Sequence, residues 1–85
     1  MNIDGHTLVQ TCFACPEQYD VYFKGDQVGY LRLRHGDFTV RCPKAGGEAV
    51  ANYHPKGDGM FEDDERDYFL KKAIEDINNY LGVAT

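Results

Sequence analysis

"YLRLRHGDFTV", residues 30–40, decides how this chain folds. His35-Gly36 is a two-residue turn of the kind that takes positive φ at low steric cost, and apolar and polar residues alternate on either side of it. Pairing across that turn sets Arg34 opposite Asp37, Leu33 opposite Phe38, Arg32 opposite Thr39, Leu31 opposite Val40, Tyr30 opposite Arg41 and Gly29 opposite Cys42. One face of the hairpin is then Leu31, Leu33, Phe38, Val40 and Cys42. The other holds Tyr30, Arg32, Arg34 and Arg41 with Asp37 and Thr39. Alternation with a period of two requires an apolar inside and a cationic outside.

Working outward, "QYDVYFKGDQVGY" (18–30) offers a second hairpin. A three-residue loop, Gly25-Asp26-Gln27, keeps Leu31 and Leu33 buried by pairing Phe23 with Gly29, Val21 with Leu31 and Tyr19 with Leu33, whereas a two-residue loop reverses the parity. The outward row then reads Asp20 beside Arg32, and Tyr22 beside Tyr30 beside Arg41. Strands are expected over about 7–13, 18–24, 28–34, 37–42 and 48–53, with "HPKGDG" (54–59) as a loop. From Glu62 the period changes to 3.6: Leu70, Ala73, Ile74, Ile77 and Leu81 form one stripe, widened by Phe69 and Tyr80, and Gly82 is placed to cap the C-terminus. The expected fold is α+β: an antiparallel meander of three to five strands in two layers, with one helix over about 62–81 packed on its apolar face.

Size and charge narrow the function classes. The 85 residues form one domain, since such a chain buries only about 60% of its unfolded surface and has no material for a second core. Residues 1–57 carry six Lys/Arg and six Asp/Glu, while residues 58–85 carry three against eight and hold the whole net charge of -5. A net acidic chain is a poor nucleic-acid binder, and no apolar run reaches membrane-spanning length. The N-terminal residues show neither a basic nor an apolar signal region, so a cytoplasmic location is expected. No nucleophile, base and orienter stand at interpretable spacing, and no glycine-rich phosphate loop follows a strand, which argues against an enzyme. The EF-hand ligand pattern is missing around Asp58, Asp63 and Asp64.

Three features remain as candidate sites. Tyr22, Tyr30, Arg32, Arg34 and Arg41 on one sheet face can hold a phosphate or carboxylate, guanidinium forks on the anion and rings beside it. The simpler reading is a solvated face in which Asp20, Asp37 and Thr39 pair with the arginines. The acidic helix start, with Glu62, Asp63 and Asp64, can dock on a basic protein surface, although acid in a first turn also suits the helix dipole. Cys12, Cys15 and Cys42 with His54, His35 or His6 can be drawn as a Cys₃His zinc site; three thiols in a reducing compartment, with no cofactor, is the preferred alternative.

The strings "VGYLRLRHG" (28–36), "GGEAV" (46–50) and "GDGMFEDDERDYFL" (57–70) resemble a pattern of short uncharacterised bacteriophage and prophage proteins: V-G-Y-x-R-L-R-x-G, G-G-E-x-[VI] and G-D-G-x-F-x-x-x-E-R-x-x-[YF]-L. The resemblance covers roughly residues 19–81 and brings no activity with it. It implies a small accessory protein in the cytoplasm of a bacterial host, binding a host protein, for instance as an inhibitor of host defence. A second expectation is a binder of a phosphorylated small ligand such as a nucleotide, held at a subunit interface because one sheet face is shallow. A third is a zinc-stabilised interaction module. A homodimer formed through an open sheet edge is compatible with all three.

Overall fold

The computed structural model describes residues 1–12 and 16–82 of the chain. Six strands follow one another in space as they do in sequence: β1 (Asn2–Ile3), β2 (His6–Cys12), β3 (Glu17–Phe23), β4 (Asp26–Arg34), β5 (Asp37–Cys42) and β6 (Glu48–Tyr53), all antiparallel. One helix, α1 (Asp63–Leu81), packs across β4, β5 and β6. The result is the two-layer α+β meander that the hydrophobic periods call for, with one strand more than the five expected. The addition is β1, a two-residue strand hairpinned to β2 through Asp4 and Gly5, both at positive φ.

The β4–β5 hairpin has the register that alternation demands, from Arg34 opposite Asp37 to Tyr30 opposite Arg41. Leu31, Leu33, Phe38, Val40 and Cys42 lie under α1 and are fully buried. The β3–β4 hairpin differs from expectation. Its turn is the two-residue Lys24-Gly25, with φ of 52° and 87°, and Phe23 pairs with Asp26. Such a turn alone would place Leu31 and Leu33 outward. A bulge at Val28 corrects it: Tyr22 pairs with Gln27 but Val21 pairs with Gly29, so the extra residue restores the parity. Tyr19 therefore faces Leu31, and Glu17 faces Leu33. On the outer side Arg32 stands beside Gln18, not Asp20, and Tyr30 stands between Asp20 and Arg41, not beside Tyr22.

At Gly29 the helix layer comes close against the β4 backbone. A Cβ there would run into the Ile77 side chain, so only glycine lets the helix sit this low on β4. Leu70, Ala73, Ile74 and Ile77 form the buried stripe of α1, ending at Ile77 and Asn78. Tyr80 and Leu81, expected to extend that stripe, are exposed. Gly82 takes the left-handed conformation, and its N–H closes the helix on Asn78 and Asn79 carbonyls.

The 54–62 connection crosses the end of the sheet and is tied down as it goes. Gly36 N–H donates to the Asp58 carbonyl and Glu17 N–H to the Gly59 carbonyl, while Phe61 enters the core against Phe38 and Phe69. Its path fixes where α1 begins. No helix is long and apolar enough to cross a membrane among the described residues.

Candidate functional site

α1 covers one face of the sheet and leaves the other open. On that outer face Tyr30 and Arg41 form one cross-strand pair and Arg32 and Thr39 the next, so four polar side chains make a compact square at the middle of β4 and β5. Arg34 continues the row toward the His35-Gly36 turn and is exposed; Tyr22, on β3, is half-buried near the far end. The bulge at Val28 thus separates Tyr22 from the square that sequence pairing had joined it to.

Hydrogen bonds pin parts of this square. Tyr30 Oη donates to Gln18 Oε1 at 3.0 Å, Arg41 Nη1 donates to the Gly47 carbonyl at 2.9 Å, and Asn52 Nδ2 donates to Thr39 Oγ1 at 2.9 Å. Thr39 accepts there, which leaves its own O–H to be given elsewhere. The expected charge pairing does not form. Asp37 lies 3.0 Å from His54 Nε2 instead of against Arg34, and among the described residues none of Arg32, Arg34 and Arg41 makes a salt bridge. Arg32 Nε is moreover buried with no hydrogen-bond partner. An unmet buried donor costs roughly 1–3 kcal/mol.

Two concavities flank Arg32. One, of about 420 Å³, lies toward the β4–β5 turn and is lined by Pro16, Arg32, Arg34, His35, Asp58 and Gly59. The other, of about 210 Å³, is lined by Tyr30, Arg32, Thr39, Arg41, Ala45 and Gly46 and is roofed by the β5–β6 loop. Gly46, at φ 83°, turns that loop back, and Gly47 N–H closes it on the Lys44 carbonyl. The first cavity mixes cations with the Asp58 carboxylate. The second has two guanidinium groups and no carboxylate in its wall.

The acidic helix start is differently employed. Glu62 occupies the N-cap, Asp63 accepts from Arg66 at 2.8 Å and Asp64 from Lys56 at 2.8 Å. The Lys56 ammonium holds the Asp64 carboxyl below the usual range. Two of these three exposed carboxylates already have cationic partners, and the third caps the helix.

The candidate metal ligands do not converge. Cys42 is buried on the inner face of β5, while Cys12 is on β2, three strand positions away, about 14 Å at ordinary strand spacing. His54 sits by Asp37 at the start of β5, about 17 Å along the strand from Cys42. His6 is buried against Phe23 and His35 is in the β4–β5 turn. Cys15 lies outside the described residues, and no group of three or more metal-ligating side chains occurs among those described. Burial, with Asp76 and Glu48 nearby, pushes the Cys42 thiol up to about 11, so it stays protonated and inert at neutral pH.

A polar cluster absent from sequence reasoning lies on the other side of the sheet. Glu17 is 1% exposed, yet its carboxylate accepts from Phe61 N–H, Tyr19 Oη and Arg66 Nε. Burial alone would raise its pKa, but Arg66, Tyr19 and the Phe61 N–H outweigh burial and hold the carboxyl below its usual range. Glu65 accepts from the N–H groups of Lys56, Gly57 and Glu62. Both carboxylates tie loop 54–62 to the fold. Every hydrogen-bonding oxygen is engaged within the protein, which marks this cluster as structural.

The fold and this outer face define a small α+β module with one helix-covered sheet surface and one open, arginine-bearing surface. No family model, curated protein or solved structure matches this chain.

Proposed function

We propose that the chain is a non-enzymatic accessory protein of the bacteriophage or prophage type that binds a host protein through its open sheet face. Tyr30, Arg32, Arg34 and Arg41 supply the contacts, and the partner supplies anionic groups. The observation that carries this reading is the absence of salt bridges to three neighbouring arginines among the described residues, although the chain as a whole is acidic. Arg41 is already held by the Gly47 carbonyl and loses little side-chain entropy on binding, while Arg32 and Arg34 have no internal carboxylate to give up when an anionic partner arrives. The acidic helix start is the weaker surface, because Asp63 and Asp64 already have internal partners. The same face also accommodates the second reading, a phosphorylated small ligand, because the concavities beside Arg32 are enclosed enough to seat part of one.

Arginine footprinting tests the proposal. The protein is treated with a guanidinium-selective dicarbonyl reagent in buffer and in bacterial lysate, and the modified positions are mapped by mass spectrometry. Lysate should protect Arg32, Arg34 and Arg41, while Arg66, already engaged by Glu17, reacts little in either medium. Identical labelling of the three arginines in both media would refute the proposal.

A further inference from the structure

The geometry points to the smaller concavity, between Arg32 and Arg41 under the β5–β6 loop, as a seat for a phosphoryl group. This inference rests on the reading of the outer face as a binding surface and specifies the chemistry it takes. Three observations lead to it. First, donors converge from different directions: the Arg32 and Arg41 guanidinium groups and the hydroxyl of Thr39, which accepts from Asn52 and keeps its proton for another acceptor. A phosphoryl group presents three strong acceptor oxygens and a charge near -2, and so can engage three separate donors, whereas a carboxylate has two coplanar oxygens.

Second, the donors are held without being consumed. Arg41 spends only Nη1, on the Gly47 carbonyl, which fixes its fork beside the cavity; Arg32 makes no salt bridge among the described residues, so its terminal nitrogens are not committed to a carboxylate. Third, the wall holds no carboxylate, unlike the neighbouring concavity with Asp58, and at about 210 Å³ it is smaller than the 300–1,000 Å³ of ordinary ligand pockets. It therefore takes one anionic group, with the remainder of the ligand lying outside along the sheet. That group can be carried by a phosphorylated side chain of a protein partner or by a small phosphate ester.

Inorganic phosphate is the probe. It is titrated into ¹⁵N-labelled protein at constant ionic strength, with acetate as the carboxylate control. Saturable shifts at Gly46, Gly47 and the Arg41 side chain, at least tenfold weaker in Arg32→Lys and in Thr39→Val and absent with acetate, are the expected result. The conservative Arg32→Lys keeps the charge and loses the fork, so its spectrum also reports whether the fold is intact. Shifts that never saturate, or that acetate reproduces, overturn the phosphoryl seat. If that happens while lysate still protects the arginines, the binding-face reading stands and only the phosphoryl chemistry falls.

The source is separated by repeating the footprint with treated lysate. Protection that survives dialysis but not phosphatase means a phosphorylated macromolecule. Protection lost on dialysis means a small phosphate ester. Protection indifferent to both treatments overturns the inference.

Discussion

Glu17 on β3 and Arg66 on α1, 49 positions apart in the chain, meet in a salt bridge of 2.9 Å with the Glu17 carboxylate buried beneath the 54–62 loop. The bridge joins the two layers at the point where the helix begins, and Phe61 N–H and Tyr19 Oη complete the carboxylate's shell.

Removing one partner from that shell strands the other. Glu17→Ala should cost about 3 kcal/mol in chemical denaturation, the usual loss on breaking a buried pair, with Asp63 retaining Arg66 and keeping the figure at the lower end. The pH dependence follows from direction. The folded-state pKa of Glu17 is depressed, and so is that of Glu65, so their contribution is complete above the unfolded value near 4.5 and is lost as pH falls through the depressed values. Stability should therefore fall below about pH 4.5, less steeply in Glu17→Gln than in the parent. Equal slopes would show that Glu17 does not drive the acid transition.

Glu65 anchors the loop by accepting three backbone N–H groups, from Lys56, Gly57 and Glu62. Hydrogen bonds to a charged group contribute about 1.5–3 kcal/mol each at most and are not additive, so Glu65→Ala should cost about 2–3 kcal/mol in total. Amide exchange should accelerate at Gly57 and Phe61 in that variant before the sheet is affected. Uniform acceleration across β4 and β5 would mean that the loop and sheet open as one unit.

Gly29 and Ile77 form a coupled pair. Gly29→Ala should destabilise by about 1–3 kcal/mol through overpacking, and Ile77→Ala should restore room for the new methyl. The double variant should thus lose less than the sum of the two single losses. Strict additivity would place the close approach elsewhere.

Cys42 should resist a thiol-alkylating reagent at pH 8 in the folded protein, because its thiol is buried and pushed up to about 11. Half-buried Cys12 should react before Cys42. A chelator should leave the melting temperature unchanged; a large drop on metal removal would reinstate a zinc site through residues beyond those described.

The hairpin at 30–41 was legible because a turn dipeptide and strict alternation gave the same register. The next hairpin was not, because the Val28 bulge offsets a two-residue turn, and nothing in "DQVG" marks a bulge except Gly29 itself. That single residue moved Asp20 and Tyr22 along the outer face relative to Arg32 and Tyr30. Glu17 falls just outside the strand expected over about 18–24, and its burial depends on Arg66, which lies on another element far along the chain. The arginine face could be read as a row; that Asp37 turns to His54, leaving Arg34 without a salt bridge, depends on where the β6 end falls. Tyr80 and Leu81 fit the helical period but lie beyond the buried face that ends at Ile77 and Asn78.

We propose that the open sheet face, and not the acidic helix start, is the working surface. Native mass spectrometry of the protein repurified from bacterial lysate addresses it most directly, comparing the parent with Arg32→Ala/Arg41→Ala and with Asp63→Asn/Asp64→Asn. The expected result is an added mass that the parent and the aspartate variant carry and the arginine variant lacks, with the arginine variant still folded by circular dichroism. An added mass lost with the aspartates and kept without the arginines, or no added mass on any of the three, would contradict it.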